Sequence, residues 1–409
     1  MLHCRACSSE QVEKVWELSA APYGDLFQAS RSAAQSLPLH ALDLGLCMSC
    51  GLAQLLTDVS VTDLYGQYLY QTSTTNGLTE FYKRLAADLA VEAHLEPEDL
   101  VLDLGSNDGS LLAAFAAHGF RVLGVEPAVE PARVAINKGI DTKNEFLTGN
   151  VVDSILSGYG RARLVCANYV AANVERPNEF FEHLAKLVSE DGLVSILTGY
   201  HLDQFAVGMF EYINHDHLSY FTLSVIADLA AEVNLRVIHV SRVELKGGSI
   251  HILLCPDSSS RISDETVGQL LQREEWLGGG DPVTYRQFAQ STDNAAERFR
   301  DTMEAMGTSK FIGVGASVST THLLCQFEIG NSISFLVDDN WLKQGLYSPG
   351  FGLEVYPLSE VRKYDDVPAV LLAWQHGRVL RRRMLAEGFK SFLLTPLPKA
   401  GILSMASGA

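Results

Sequence analysis

Three absences narrow the reading before any motif is considered. The chain has no apolar run approaching the ~18 residues that a helical bilayer crossing requires, so an integral helical membrane protein is excluded. It has no surplus of basic charge: 31 Lys and Arg face 49 Asp and Glu, a formal net charge of −18. Such a field repels phosphate backbones, and sequence-independent nucleic-acid binding is not expected. Its first residues, Met1-Leu2-His3-Cys4, show no basic segment followed by an apolar stretch, so no secretory signal is visible. A soluble, cytoplasmic, monomeric protein is the expectation. What the chain does have is the composition of a folded protein, 47% hydrophobic and 20% charged. Its 409 residues allow two or three domains, each with its own core.

Cysteine is scarce and unevenly spread. Four of seven form two C-x2-C pairs, Cys4/Cys7 and Cys47/Cys50, while Cys166, Cys255 and Cys325 stand singly in apolar segments and read as core residues. Two such knuckles fit tetrahedral thiolate coordination of zinc. The 39 residues between them exceed a simple zinc ribbon and must form a small subdomain. Disulfides are the competing reading, but they need an oxidising compartment. Residues 1–50 hold three Lys or Arg and five Asp or Glu, which disfavours a DNA-binding zinc module. Four thiolate ligands leave no open position for chemistry, so the zinc is expected to be structural.

Beyond the cysteine-bearing segment, 1–66, a hydroxyl-rich stretch from Tyr65 to Asn76 reads as a ligand-contacting loop or a solvated linker. From residue 80 helix and strand alternate. Strands are predicted at 100–104, 121–126, 164–168 and 193–198, with helices at 111–118, 129–138 and 178–188. This alternation argues for a mostly parallel sheet covered on both faces. Residues 235–245 and 249–255 read as a terminal strand pair. A polar, helical connector, 256–308, is broken by Gly278-Gly279-Gly280-Asp281-Pro282. A second α/β unit follows from Lys310, with strands at 333–337, 369–373 and 391–394.

Asp103-Leu104-Gly105-Ser106-Asn107-Asp108-Gly109 follows the first predicted strand and opens a helix. Its glycines permit a sharp turn and close ligand approach. The G-x-x-x-G spacing lacks the G-x-G-x-x-G of a dinucleotide site, so the cofactor is expected to lack a pyrophosphate. Glu126 ends the next strand, 23 residues after Asp103, where a carboxylate can accept both ribose hydroxyls. Together these are the class I signature for S-adenosylmethionine. The second unit's Gly313-Val314-Gly315-Ala316-Ser317 is weaker: it either cradles a nucleotide diphosphate or merely turns a strand into a helix.

The segment Glu211-Tyr212-Ile213-Asn214-His215-Asp216-His217 follows the fifth strand of the sheet and is expected to face the methyl donor. Two histidines flanking an aspartate offer a general base whose protonated form the carboxylate favours. A metal-binding pair and a capping turn are the other readings.

Taken in order, Cys4-x2-Cys7 with Cys47-x2-Cys50, Asp103 to Gly109, Gly124-Val125-Glu126-Pro127, His215 to Phe221 and Gly247-Gly248-Ser249 resemble the nucleotide-sugar C-methyltransferase family over nearly the whole chain. The resemblance implies an α/β protein of three parts. These are a zinc-binding domain (1–66), a class I Rossmann-like S-adenosylmethionine domain (67–258) and a Rossmann-like substrate domain (259–409). It implies methylation of a ring carbon, usually C3, of a nucleotide-linked 4-keto-6-deoxysugar lying between the last two domains. Cofactor contacts fall on Asp103, Gly105, Asn107, Asp108, Gly109, Glu126, Pro127 and Asn168, and substrate contacts on Tyr169, Asn173, Asn214, His215, Gly248 and Ser249. His217 matches the second histidine of the family's H-E-H segment, the candidate base, and Asp216 replaces its glutamate. Tyr68 or Tyr70 would donate a phenol to the enolate.

Three positions depart from the family pattern. Where it usually reads A-N-N-V-x-A-H, this chain has Ala167-Asn168-Tyr169-Val170-Ala171-Ala172-Asn173, and Asn214 stands where Tyr is frequent. These changes surround the expected acceptor pocket and leave the acceptor's identity open. Asn173 cannot carry a proton, so His217 has less help than in typical relatives. Methylation of oxygen, nitrogen or a non-sugar carbon acid is the first alternative; a non-catalytic zinc-and-cofactor scaffold is the second. The net charge adds a constraint: a doubly anionic nucleotide-sugar needs local donors, for which the N–H groups of Gly313–Ser317, Lys246 and Arg242 are the candidates.

Overall fold

The computed structural model describes residues 3–59, 70–74, 77–364 and 366–405. Tyr68 and the expected boundary at 66/67 lie outside these residues.

The N-terminal segment supplies β1 (Val12–Trp16), a short helix α1 (Arg31–Gln35), β2 (Leu44–Cys47) and β3 (Ala53–Leu55). The three strands pair in antiparallel order β1-β2-β3. Every residue of β2 is buried, and its Gly45 leaves room for neighbours. A Cβ there would lie 2.4 Å from Leu56 Cδ2 and 2.9 Å from Val12 Cγ1.

The central unit runs α2 (Leu78–Glu92), β4 (Leu100–Leu104), α3 (Ser110–Ala117), β5 (Arg121–Val125), α4 (Val129–Asn137), β6 (Thr142–Lys143), α5 (Gly149–Gly158) and β7 (Ala162–Asn168). It continues with α6 (Pro177–Leu187), β8 (Val188–Gly199), α7 (His201–Ala206), β9 (Ser219–Tyr220), α8 (Leu223–Glu232), β10 (Leu235–Val243) and β11 (Ser249–Pro256). Seven of these strands form one sheet, ordered β10-β11-β8-β7-β4-β5-β6. β4 is buried along its whole length, as a central parallel strand covered on both faces must be. From β4 the chain winds outward through β5 and β6, then returns to place β7 and β8 on the other side. The switch point therefore lies between β4 and β7, where open sheets of this kind bind ligands. The expected strand pair forms a hairpin at the end of the sheet. β11 inserts between β8 and β10, antiparallel to both, so β10 holds the edge.

β9 leaves this sheet altogether. It pairs antiparallel with β3, Ala53 opposite Tyr220 and Gln54 opposite Ser219, and completes the N-terminal sheet.

Two helices, α9 (Glu265–Leu277) and α10 (Pro282–Glu304), form the connector. The glycine-rich break between them is a stop followed by a start. Gly278 caps α9 in the left-handed conformation, and Asp281 accepts from Val283 N–H ahead of Pro282. The last unit contains β12 (Phe311–Val314), α11 (Val318–Gln326), β13 (Ile333–Val337), β14 (Val355–Tyr356), β15 (Ala369–Leu371), α12 (Gly377–Ala386), β16 (Phe392–Thr395) and β17 (Gly401–Ser404). Its order is β14-β13-β12-β15-β16-β17, parallel except for β17.

One apolar cluster joins all three parts: Trp16 and Leu44 from the first, Phe205 and Tyr212 from the second, Phe299 and Leu323 from the third. Ion pairs Glu13–Arg286 and Asp25–Lys343 cross the same seams.

Candidate active site and metal site

The four paired cysteines converge. Their Sγ atoms all lie within 4.8 Å of one another, with Cys4–Cys50 at 3.5 Å and Cys7–Cys47 at 3.6 Å. A tetrahedral zinc with ~2.3 Å Zn–S bonds has edges of about 3.8 Å, whereas a disulfide needs ~2.05 Å. The two loops are equivalent. Cys4 and Cys47 carbonyls accept from Ser8 and Gly51 N–H, and both donors sit at positive φ, 59° and 76°. The set fits zinc and is closed to substrate.

At the switch point the β4 loop is built to receive a ligand. Gly105 (φ 70°) and Asn107 (φ 49°) turn it, and Gly105 N–H donates to Val125 O at 2.8 Å. Glu126, buried at the end of β5, accepts from Asn107 N–H and Ala128 N–H, both at 2.8 Å. Burial raises its pKa, and these two N–H groups oppose the rise. A cavity of about 530 Å³ opens here, bordered by Asp103, Gly105, Asn107, Glu126, Pro127 and Asn168. Several buried polar atoms on this wall lack a partner: Asp103 Oδ1, Ser106 Oγ and both terminal atoms of Asn168. Such orphans are uncommon in folded proteins and mark where a polar ligand completes the structure. The donor set matches a nucleoside with an amino-acid arm, and S-adenosylmethionine fits it.

Two expected cofactor contacts lie off the cavity wall. Asp108 is wholly buried and does not border the cavity. It accepts from Ser110 N–H, Ser110 Oγ–H and Ser73 N–H and faces Lys138 at 3.3 Å. It therefore fixes the loop from behind, and those interactions hold its pKa down against burial. Gly109 caps α3 at φ 71°; a Cβ there would lie 3.1 Å from Ala135 Cβ and 3.2 Å from Ile140 Cγ1. Its role is packing against α4.

The far wall carries Tyr70, Tyr169, Asn173 and Lys246. Tyr169 occupies the left-handed region at φ 56°, an uncommon conformation for a bulky residue and one concentrated at functional sites. Its hydroxyl lies 3.0 Å from Ser249 Oγ, which itself donates to Leu245 O. Lys246 Nζ stands 3.8 Å from the Tyr169 ring centroid and 5.3 Å from that of Tyr70. Gly248 and Ser249 do not border the cavity; they shape the turn that presents Lys246 and anchors Tyr169.

The His215–His217 segment was expected to face the methyl donor, yet it does not border this cavity. An Asx turn, Asp216 N–H to Asn214 Oδ1 at 3.0 Å, and the pairing of β9 draw it toward the N-terminal sheet. Asn214 also donates from Nδ2 to Tyr212 O, so it builds the turn instead of lining a pocket. The two histidines diverge. His215 packs against Tyr23, His40 and His322, with both ring nitrogens buried and unpartnered; burial lowers its pKa to about 3. His217 stacks on Tyr212 at 4.1 Å, and its Nδ1 lies 2.8 Å from Tyr212 O. A carbonyl only accepts, so Nδ1 carries the proton and Nε2 keeps the lone pair. Among the described residues Nε2 has no partner. Asp216 is not among the groups that set the His217 pKa. Burial and the nearby Lys246 charge lower His217 to about 4, while burial and Asp25 raise Asp216 to about 7.

In the last unit the glycine loop is internally satisfied. Ala316 N–H donates to Asp338 Oδ2 at 2.6 Å, and Ser317 N–H donates to Thr320 Oγ1 at 3.2 Å. That favours the turn reading over a phosphate cradle. Arg242 is likewise engaged, by Asp203 at 2.7 Å.

Thr72, from the hydroxyl-rich stretch, borders the cavity, while sequence reasoning missed Tyr82, Phe146, Phe180 and His183 on its wall. Their types are ordinary core or loop residues, and no local pattern marks them.

Three family models match the chain: "Putative zinc binding domain" over residues 4–65, "Methyltransferase domain" over 71–240 and "C-methyltransferase C-terminal domain" over 244–398. Among characterised proteins it is similar to C-methyltransferase NovU of Streptomyces niveus, 28% identical over 411 residues, covering 99% of this chain and 97% of that one. Solved structures resembling part of it include the Synechocystis PCC 6803 magnesium protoporphyrin IX methyltransferase with bound SAH. That match has 16% identity, 43% of this chain and 82% of that chain, with a TM-score of 0.35. Another is the plantazolicin methyltransferase BpumL, with 14% identity, 45% of this chain and 87% of that chain, and a TM-score of 0.36. Overlaps that small carry no argument; the family models and strand order bear out the α/β class with its N-terminal zinc module.

Proposed function

We propose that this chain, an S-adenosylmethionine-dependent C-methyltransferase with a structural zinc module, methylates the carbon beside the ketone of a nucleotide-linked 4-keto-6-deoxysugar, at C3. Enzyme class and cofactor follow from the matched models; the acceptor is the further step. The reading is supported by the ordered motif set and by one observation above all. His217 holds its proton on Nδ1 and presents an unengaged Nε2 lone pair, as a base that removes a carbon-bound proton must.

S-adenosylmethionine, when bound, supplies an electrophilic methyl group. Glu126 takes the ribose hydroxyls, and Asp103 and Asn168 satisfy the polar amino-acid arm. His217 Nε2 accepts the C3 proton, leaving its electron pair delocalised onto the ketone oxygen. The enolate carbon would then be the nucleophile toward the methyl group that S-adenosylmethionine, held by Glu126, Asp103 and Asn168, would supply, with the sulfur–methyl electron pair left on sulfur. Because burial lowers His217 to about 4, it is neutral throughout the neutral pH range, at a cost in basicity that positioning of the reactants must offset. Asp216, raised to about 7, can serve a sugar hydroxyl as donor or acceptor. Preorganised placement of both reactants carries much of the rate gain.

The test is a panel of dTDP-, UDP- and GDP-linked 4-keto-6-deoxyhexoses incubated in D2O with and without S-adenosylmethionine, followed by NMR and mass spectrometry. Deuterium at C3 and a new C-methyl signal are expected. In His217→Ala both should vanish with cofactor affinity retained. A product methylated only on oxygen or nitrogen, or no reaction across the panel, refutes the acceptor assignment.

A further inference from the structure

The matched models and motifs assign no role to Lys246, yet several independent features converge on it. It lies at the turn between β10 and β11, in the left-handed conformation at φ 48°, followed by Gly247 at φ 78° and Gly248 at φ 129°. The turn is clamped from two sides. Gln204 Nε2 donates to Lys246 O at 3.0 Å, and Gly248 N–H donates to Leu245 O at 3.0 Å. There is no space for alternatives at the next residue: a Cβ on Gly247 would lie 2.0 Å from Met209 Sδ.

This rigid turn sends the ammonium into the wall of the methyl-donor cavity, over the faces of Tyr169 and Tyr70. Both distances fall inside the ~6 Å range of cation–π attraction. Tyr169 is bound back to the same turn through Ser249, so cation and platform move as one body. Other cations near the domain seams are engaged: Arg242 and Arg273 by Asp203, Lys343 by Asp25. Among the described residues no carboxylate forms an ion pair with Lys246. Its charge nevertheless acts on both Asp216 and His217. A cation held on ring faces in the cavity wall, with no ion-pair partner among the described residues, is placed to meet negative charge that arises only during reaction.

We propose that Lys246 is a catalytic residue, whose ammonium donates to the acceptor's ketone oxygen and stabilises the enolate formed when His217 removes the neighbouring proton. The assignment rests on the ketosugar reading above. The bookkeeping of the step is complete: the C–H bond breaks, its proton goes to His217 Nε2, and its electron pair becomes the C=C bond. The carbonyl π pair moves to oxygen, where Lys246 meets it. Removing one such donor typically costs ~10²–10³ in rate. A mere cation–π staple would instead show up in folding and cofactor affinity.

The test compares Lys246→Met, Lys246→Gln and Lys246→Arg with the wild type on the same nucleotide-ketosugar panel. Deuterium exchange without methyl transfer, methyl transfer, S-adenosylhomocysteine affinity and melting temperature are read separately. Expected are a ~10²–10³-fold loss of both exchange and transfer in the Met and Gln variants, affinity within about threefold, and partial recovery in the Arg variant. Wild-type exchange in Lys246→Met overturns the proposal while leaving the acceptor reading standing. If the Met variant fails to fold, the Gln–Arg comparison decides: equal rates in both overturn it. No exchange or transfer by the wild type on any panel member removes the acceptor reading, and this inference with it.

Discussion

Replacing Glu126 by alanine tests the cofactor site most directly. Its two carboxylate oxygens each hold one backbone N–H at 2.8 Å, fixing the loop that carries Asn107 and the entry to α4. Glu126 also borders the cavity, where the ribose hydroxyls are expected. Hydrogen bonds to a charged group contribute ~1.5–3 kcal/mol each. Losing two from ribose therefore costs about 3 kcal/mol even at the low end, and at ~1.4 kcal/mol per decade that is about 100-fold in affinity. The orphaned Asn107 and Ala128 N–H groups should also lower stability by ~1–3 kcal/mol each if they stay dry. Glu126→Gln is no rescue. An amide offers one acceptor, so its NH2 must face one of the two peptide N–H donors. Titration calorimetry with S-adenosylhomocysteine and thermal melting measure the two effects separately. An alanine variant that binds within threefold of wild type and melts at the same temperature would refute both the ribose assignment and the clamp.

Further outcomes follow from other parts of the molecule. Glu211 is wholly buried, held by Trp374 Nε1 and Gln375 Nε2, and burial raises its carboxyl to about 7. A folded-state pKa above the unfolded value means stability is lost as pH rises from the unfolded value toward 7. Glu211→Gln should therefore gain stability relative to wild type from pH 5 to 7.5 and level off above, read by urea melts; a pH-independent difference would sink the argument. Gly109→Ala should lower stability by roughly 2 kcal/mol, since the left-handed backbone alone costs ~1–2 kcal/mol, while cofactor affinity stays within threefold. A fall in affinity instead would return Gly109 to the cofactor's contacts. The purified protein should carry one zinc per chain by mass spectrometry under native conditions, and Cys50→Ser should lose it together with several degrees of melting temperature; metal-free wild type with an unchanged melt contradicts the assignment.

The parts that local chemistry dictates were legible in the sequence. The C-x2-C knuckles, the Gly105 turn and the strand-end Glu126 each obey short-range rules, and Leu100-Val101-Leu102-Asp103-Leu104 reads as a buried strand, as β4 is. What escaped was set by distant contacts. Asp108 and Gly109 share the cofactor loop in sequence, yet helix packing turns them away from its cavity. His215 and His217, two residues apart, diverge because the Asn214 turn fixes one against His322 and the other against Tyr212. Lys246 looked like one of two equivalent cations until the pairing of Arg242 with Asp203 set them apart. The order β8-β11-β10 could not be read in advance, since nothing in a hairpin's own sequence says which strand meets the sheet.

The pairing of β9 with β3 also bears on how the enzyme comes into being. A ribosome delivers Ala53–Leu55 long before Ser219–Tyr220, so the metal-bearing sheet must wait with one edge open through most of the synthesis of the central unit. An unpaired edge is a template for stray association, and contacts this distant in sequence form slowly. Expression with limiting zinc should then favour aggregation of nascent chains over accumulation of a folded, metal-free enzyme. The same pairing defeats modular cutting: a central unit excised at its apparent boundaries would leave Tyr220 without the strand that fixes the end of the His215–His217 loop.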